Sequence, residues 1–201
     1  MREQHQVSRF ERELSSLKES GSSLLLVGTI PNDRFYEMGI QLLGDADQAP
    51  RRRVLAGPED AIQTQIEELS GEAVRLDGDR IRAINFADQT RSAVAQSAKT
   101  PESVPVELVP RDDPAALAWA IKENINQLEQ RGGVPNPAEL RVGIDGMTDL
   151  LKANGDETVF RFVHMLNALV KRRSGMIHYI LPIERDGVTV RTLQPLFDAI
   201  I

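Results

Sequence analysis

Cysteine is absent from the 201 residues, which excludes disulfides, thiolate metal sites and a cysteine nucleophile. Lysine is scarce: only Lys18, Lys99, Lys122, Lys152 and Lys171 stand among 24 basic residues, and 30 acidic residues bring the formal net charge to -6. Nucleic-acid binding needs concentrated Lys and Arg to neutralise phosphates, so this balance argues against a DNA or RNA partner. Low lysine with excess acid keeps a surface hydrated in high salt, as in a halophilic archaeon, and a high-GC genome gives the same arginine bias. Histidines number three and are scattered. His5 lies near the terminus, and His164 and His178 sit in apolar surroundings. They read as surface or packed residues, because metal sites need clustered ligands. No metal and no cofactor are expected. No apolar run approaches the roughly 20 residues of a membrane span, and a segment charged from Met1 to Glu19 is unlike a signal peptide. A cytoplasmic location is expected.

What is present is a regular alternation of apolar runs and amphipathic segments. Val7, Phe10, Leu14 and Leu17 recur at helical spacing within residues 1–20, and Gly21 ends that helix. The remainder, 21–201, reads as a single α/β domain. Ser22–Val27 is a continuous apolar run bounded by Gly28 and Pro31, as expected of a buried parallel strand. Asp33 caps a helix to about Leu43. Arg53–Ala56 reads as a strand, and Pro58 opens a helix with Ile62, Ile66 and Leu69 on one face. Ala73–Leu76 and Ile81–Phe86 are two short apolar pieces, either a hairpin or a strand with an irregular lead-in. The polar stretch 87–102 reads as a weak helix or a loop. Val104–Val109 is a strand, Asp113-Pro114 starts a helix striped by Leu117, Ile121, Ile125 and Leu128, and Gly132–Pro137 is a loop. A strand through Leu140, Val142 and Ile144 ends at Asp145. A long helix from Asp156, the strand Met176–Leu181 and a terminal helix with Leu193, Leu196 and Phe197 follow. Strands alternating with helices predict a three-layer α/β fold, a mostly parallel sheet with helices on both faces.

Ligands of such sheets bind at the carboxyl ends of the strands, so the segments after Val27 and Ile144 are the candidate site. The first reads Gly28-Thr29-Ile30-Pro31-Asn32-Asp33-Arg34-Phe35. A working P-loop has Gly, four residues, then Gly, Lys and Ser or Thr, whose amides, ammonium and hydroxyl hold phosphates and Mg²⁺. Only Gly28 keeps its place. Asp33 puts a carboxylate where a helix N-terminus would hold an anion, and Phe35 cannot ligate Mg²⁺. Arg34 keeps a positive charge, but its fork is not equivalent to a lysine. An ordinary strand-to-helix turn with an Asp cap is the reading the segment favours. Arg51-Arg52-Arg53 reads as a solvated strand entry, and Lys171-Arg172-Arg173 as favourable charge at a helix C-terminus.

The second segment, Glu139-Leu140-Arg141-Val142-Gly143-Ile144-Asp145-Gly146-Met147 through Leu150-Leu151, Val159–Leu166 and Met176-Ile177, resembles the Walker B region of KaiC-like ATPases of the RecA superfamily. In that family an apolar strand ends in an Asp that acts through Mg²⁺, and Asp145 occupies the matching position. The family also carries acids after the second strand that activate water. Glu59, in Gly57-Pro58-Glu59-Asp60, is the candidate remnant, though acids also favour any helix start. The whole is similar to degenerate KaiC-like proteins of halophilic archaea. That resemblance implies a shared fold with a vestigial nucleotide site at Gly28, Thr29, Asn32, Asp33, Arg34 and Asp145. It leaves activity unassigned; a retained architecture with a dismantled phosphate site leads to the expectation of a regulatory or protein-interaction role without catalysis. The alternatives are an atypical nucleotide-binding ATPase using Arg34 and Asp145, and a small-molecule sensor using the former nucleotide cleft. A protein partner or a homo-oligomer is expected, with Val7, Phe10, Leu14 and Leu17 as the contact stripe.

Overall fold

The computed structural model describes residues 17, 21–28, 33–44, 51–70, 79–87, 104–131, 140–183 and 187–201. Seven strands form one sheet: β1 (Ser23–Val27), β2 (Arg52–Gly57), β3 (Ile81–Ala87), β4 (Val106–Pro110), β5 (Leu140–Ile144), β6 (Met176–Leu181) and β7 (Ala199–Ile200). Their order is β4-β3-β2-β5-β6-β1-β7, and every pairing among the described residues is parallel. The helices are α1 (Asp33–Leu43), α2 (Glu59–Ser70), α3 (Pro114–Arg131), α4 (Met147–Asn154), α5 (Asp156–Lys171) and α6 (Val188–Leu193), the last running into a 3₁₀ turn, Gln194–Leu196.

Strand alternation divides the apolar side chains between the two faces. On one face Leu24, Leu26, Leu55, Ile81 and Ala83 are covered by Leu42 and Leu43 of α1 and Ile62, Ile66 and Leu69 of α2. On the other, Leu25, Val54, Ile84, Val142, Ile144, Ile177 and Tyr179 pack with Leu117 and Ile121 of α3, Leu150 of α4, Val159 and Val163 of α5, and Val190 and Leu193 of α6. Parallel crossovers are almost always right-handed, so connections travelling one way along the sheet lie on one face and those travelling back lie on the other. That places α1 and α2 on a first face and α3 to α6 on a second. Both faces are covered, which is the expected three-layer α/β arrangement.

Local chemistry explains the helix starts. Asp113 accepts the Ala116 N–H at 2.8 Å and Pro114 supplies a preset first residue, so α3 begins there. Asp156 and Glu157 open α5 and Lys171 closes it, each favoured by the helix dipole.

Four expectations need correction. Between the strand ending at Asp145 and the long helix from Asp156 stands a further helix, α4, ended at Gly155. The strand expected over 104–109 begins at Val106, after a buried Val104, and runs to Pro110. The C-terminal helix stops earlier, and the last residues pair with β1 as β7: the Val27 N–H donates to the Ile201 carbonyl at 2.9 Å. Asp198 fastens this strand, accepting from the Ser23 N–H at 2.7 Å and from Lys171 at 2.8 Å. The arginines entering β2 are not solvated. Arg52 and Arg53 are buried, and Arg53 donates to the Leu43 and Gly44 carbonyls at 3.2 and 2.7 Å, satisfying the end of α1. Ala73–Leu76, residues 88–103 and Gly132–Pro137 lie outside the described residues. So do Val7, Phe10 and Leu14; Leu17, the described member of that stripe, packs against the Leu24, Leu26 and Leu42 cluster of its own sheet.

Candidate functional site

β2 and β5 are neighbours, yet β2 continues into α2 on the first face and β5 into α4 and α5 on the second. Between two such strands the outgoing chains part and leave a crevice at the carboxyl ends, where ligands of open α/β sheets bind. The Asp145 N–H donates to the Ala56 carbonyl at 2.8 Å, carrying the ladder to the point of divergence. Gly146 then takes a left-handed conformation, φ 76°. A side chain there would meet Pro58 at 2.7 Å and Phe86 at 2.9 Å, so the tight approach of the two outgoing loops depends on glycine.

Asp145 is the buried acid of this crevice, 6% exposed. Its Oδ1 accepts the Gly146 N–H at 2.6 Å, and the Gln65 side chain hydrogen-bonds the same carboxylate. Burial raises its carboxyl above the ordinary range; the Gly146 N–H works against this, Asp60 and Asp149 add to it, and the adjacent Gln65 carboxamide opposes it. Gln65 comes from α2, 3% exposed, in the same inward stripe as Ile62, Ile66 and Leu69. Asn85 of β3, 6% exposed, stands on the same face as Ala83. Gly57 is paired with Asn85 in β2–β3 register and touches Asp145 on its other side, where an added Cβ would lie 3.2 Å from the Asp145 Cβ. Asn85, Gly57 and Asp145 thus form a row across three strands with a glycine floor at its centre. Gln65 Oε1, Asn85 Oδ1 and Thr148 Oγ1 are buried oxygens without hydrogen-bond partners. The charged groups around them are acidic: Asp60 beside Glu59 in the first turn of α2, and Asp149, which faces Arg111 at 3.8 Å.

Gly28 lies at the same carboxyl edge, after β1, with β6 between it and the strand that carries Asp145. Asp33 is the first residue of α1 and Arg34 the second; their side chains, together with Thr29 and Asn32, lie outside the described residues. Glu59 is exposed at the start of α2. The edge therefore brings Gly28, Glu59 and Asp145 to one side of the sheet, with Asp145 directed into the crevice by β2. Sequence reasoning passed over Gln65, Asn85 and Gly57. The signal was there: Gln65 is a polar residue in an otherwise apolar inward stripe, and Asn85 breaks the apolar run of β3. His178, by contrast, lies wholly buried in mid-sheet, away from the edge, and His164 is exposed. Among the described residues no group of three or more His, Cys, Asp or Glu side chains could hold a metal, and no helix is long and apolar enough to cross a membrane.

Residues 21–201 match the profile of a family of unknown function, DUF7504, and the chain belongs to that family. No curated protein matches it.

Proposed function

We propose that this family member is a non-catalytic protein of the RecA/KaiC fold, regulatory or interaction-bearing, whose carboxyl-edge crevice does not take a nucleoside triphosphate. The observation that carries this reading is the sign of the crevice. A triphosphate brings several negative charges and needs amides, a cation and a hydroxyl to meet them. Here Asp145, Asp60 and Asp149 crowd the position instead, and the carboxylate of Asp145 is already destabilised by burial and by its acidic neighbours. In the loop after β1 the sequence supplies Asp33, Arg34 and Phe35 where Gly, Lys and a hydroxyl are needed. The order β5-β6-β1, with Asp145 ending one outer strand and Gly28 following the other, supports the likeness to KaiC-like ATPases. Fold alone assigns no activity. A sensor of another small ligand is the second reading, favoured by the unmet buried oxygens of Gln65 and Asn85.

Equilibrium binding of labelled ATP and GTP with Mg²⁺ tests the proposal. Affinity weaker than millimolar is expected. Micromolar binding, with turnover lost in Arg34→Ala and Asp145→Ala, would establish an atypical ATPase instead.

A further inference from the structure

The outer edge of the sheet lies far from the carboxyl-edge crevice in kind: it offers backbone and apolar side chains, and no charge. We infer that β4 is the interface of a homodimer, pairing antiparallel with the β4 of a second copy about a two-fold axis at Leu108 and so continuing the sheet across both chains.

Three observations carry this. The first is an open row of backbone groups. β4 ends the strand order, and its outer side has no strand partner among the described residues. The Ala83 N–H donates to the Pro105 carbonyl and the Arg111 N–H to the Ala87 carbonyl, both at 3.0 Å, so the odd-numbered residues of β4 turn their backbone groups to β3. Val106 and Leu108 therefore turn N–H and C=O outward, and Pro110 its carbonyl. The second observation is apolar exposure. Of the five exposed large apolar side chains among the described residues, two stand on this short strand, Val106 at 40% and Leu108 at 46%. Their register with Ala83 and Asn85 sets both on the first face of the sheet. Edge strands are ordinarily blunted by outward charges. The one charge of β4, Glu107, turns instead to the second face, where the Asn124 carboxamide donates to it at 2.7 Å.

The third observation is that the strand complements itself. In an antiparallel pair centred on Leu108, this residue and the partner's Leu108 exchange both N–H···O bonds, and each Val106 N–H meets the carbonyl of the partner's Pro110. The N–H that Pro110 lacks leaves only the Val106 carbonyl to water. A two-fold axis perpendicular to the sheet keeps the first face of both copies on one side, so the two Leu108 side chains pack together with Val106 beside them. Glu107 then stands opposite the partner's Val109. Centring the pair on Glu107 would make as many bonds within β4 but set two carboxylates directly opposite, which is destabilising. One register is thus selected, and an isologous contact of this kind uses the same patch twice and needs no other partner.

The inference goes beyond the proposed function and does not rest on it, since ATP binding would overturn that reading and leave this edge as it is. The test is sedimentation equilibrium of the nucleotide-free full chain beside Leu108→Pro, Leu108→Lys and, as a control, Val188→Lys, which changes an apolar residue of α6 that is 68% exposed. Proline at 108 removes only an outward N–H, so the sheet loses no bond of its own, and lysine replaces a side chain that is already exposed. A contact made by one short strand is small, so the natural chain is expected to dimerise with a Kd of about 100 µM or tighter. Both Leu108 variants should raise that Kd by about tenfold or more while melting as cooperatively as the natural chain, and Val188→Lys should leave it unchanged. A natural chain that stays monomeric up to about 1 mM would overturn the inference. So would a Kd unchanged in either Leu108 variant, or one weakened as much by Val188→Lys, which would mark general apolar self-association in place of edge pairing.

Discussion

His178 and Asp145 are buried titratable groups on the same face of neighbouring strands, and their surroundings differ in one respect. His178 is enclosed: an added Cβ at Gly143 of β5 would lie 3.1 Å from its ring, one at Gly39 of α1 would lie 3.7 Å from its Nε2, and Leu43 and Ile180 border the same two glycines. Neither ring nitrogen has a hydrogen-bond partner. Asp145 is almost as buried, but it stands at the carboxyl edge, where β2 and β5 lead to opposite faces, with the Gly146 N–H and the Gln65 side chain as partners. Burial without a partner is therefore a fixed cost of the fold at His178, whereas at Asp145 part of that cost is met by neighbouring donors. Charge separates them as well. Burial and then the positive charge of Arg141 push the His178 imidazole down to about 3, whereas burial pushes the Asp145 carboxyl up.

The largest effect that would break this comparison is the acid stability of the fold. A histidine whose folded value is about 3, against an ordinary 6.5, takes up its proton only in the unfolded chain over that window. Stability then falls with decreasing pH by up to about 1.4 kcal/mol per unit between about 6.5 and about 3. His178→Gln removes the titrating group while keeping a polar side chain of similar reach. Urea unfolding at pH 7, 6, 5 and 4 should show a steep decline for the natural chain and a much flatter one for the variant. Equal slopes would mean that His178 reaches solvent and that its enclosure is not what distinguishes it from Asp145.

Arg53 sharpens the comparison from the amino end of the same face. It is a buried charge like Asp145, but its guanidinium is spent on the Leu43 and Gly44 carbonyls at the end of α1. Arg53→Ala should cost about 3 kcal/mol in urea unfolding, from two orphaned carbonyls and lost charged hydrogen bonds. A loss under about 0.5 kcal/mol, the range of an ordinary surface change, would show that the helix end is held by other contacts.

Most of the sheet was legible because each strand is an apolar run of the right length and each helix an apolar stripe with its own start signal. Pro114 after Asp113, and Asp156 after Gly155, located two helices to the residue. β7 was not legible: Ala199 and Ile200 are too few to carry a periodicity, and they become a strand only because β1 offers an open edge and Asp198 anchors them to Ser23. The burial of Arg52 and Arg53 was hidden for a similar reason, since an arginine run reads as solvated unless the helix carbonyls that accept from it are known. Asp145 could be found from its strand. Its companions could not, because separation along the chain says nothing of neighbourhood in the fold; the strand order β3-β2-β5 sets Asn85 and Asp145 on either side of Gly57, and α2 carries Gln65 to Asp145.

Asp145 itself supplies the smallest effect, and the one of opposite sign. An acid whose folded value is raised costs stability at any pH above that value, and the cost vanishes as pH falls to the unfolded carboxylate range near about 3.9. Asp145→Asn keeps the shape and leaves Oδ1 to accept the Gly146 N–H. It adds an amide that can donate towards Gln65, whose Oε1 lacks a partner, and it never ionises. At pH 7 the variant should therefore be more stable than the natural chain, by less than the loss at Arg53, and the two should converge as the pH approaches about 4. A His178-dependent decline shared by both proteins cancels in that difference, so the residual slope belongs to Asp145. If the variant is instead less stable at pH 7, the Gly146 and Gln65 donors more than offset the burial of the ionised carboxylate, and the contrast with the partnerless His178 is larger than burial alone makes it.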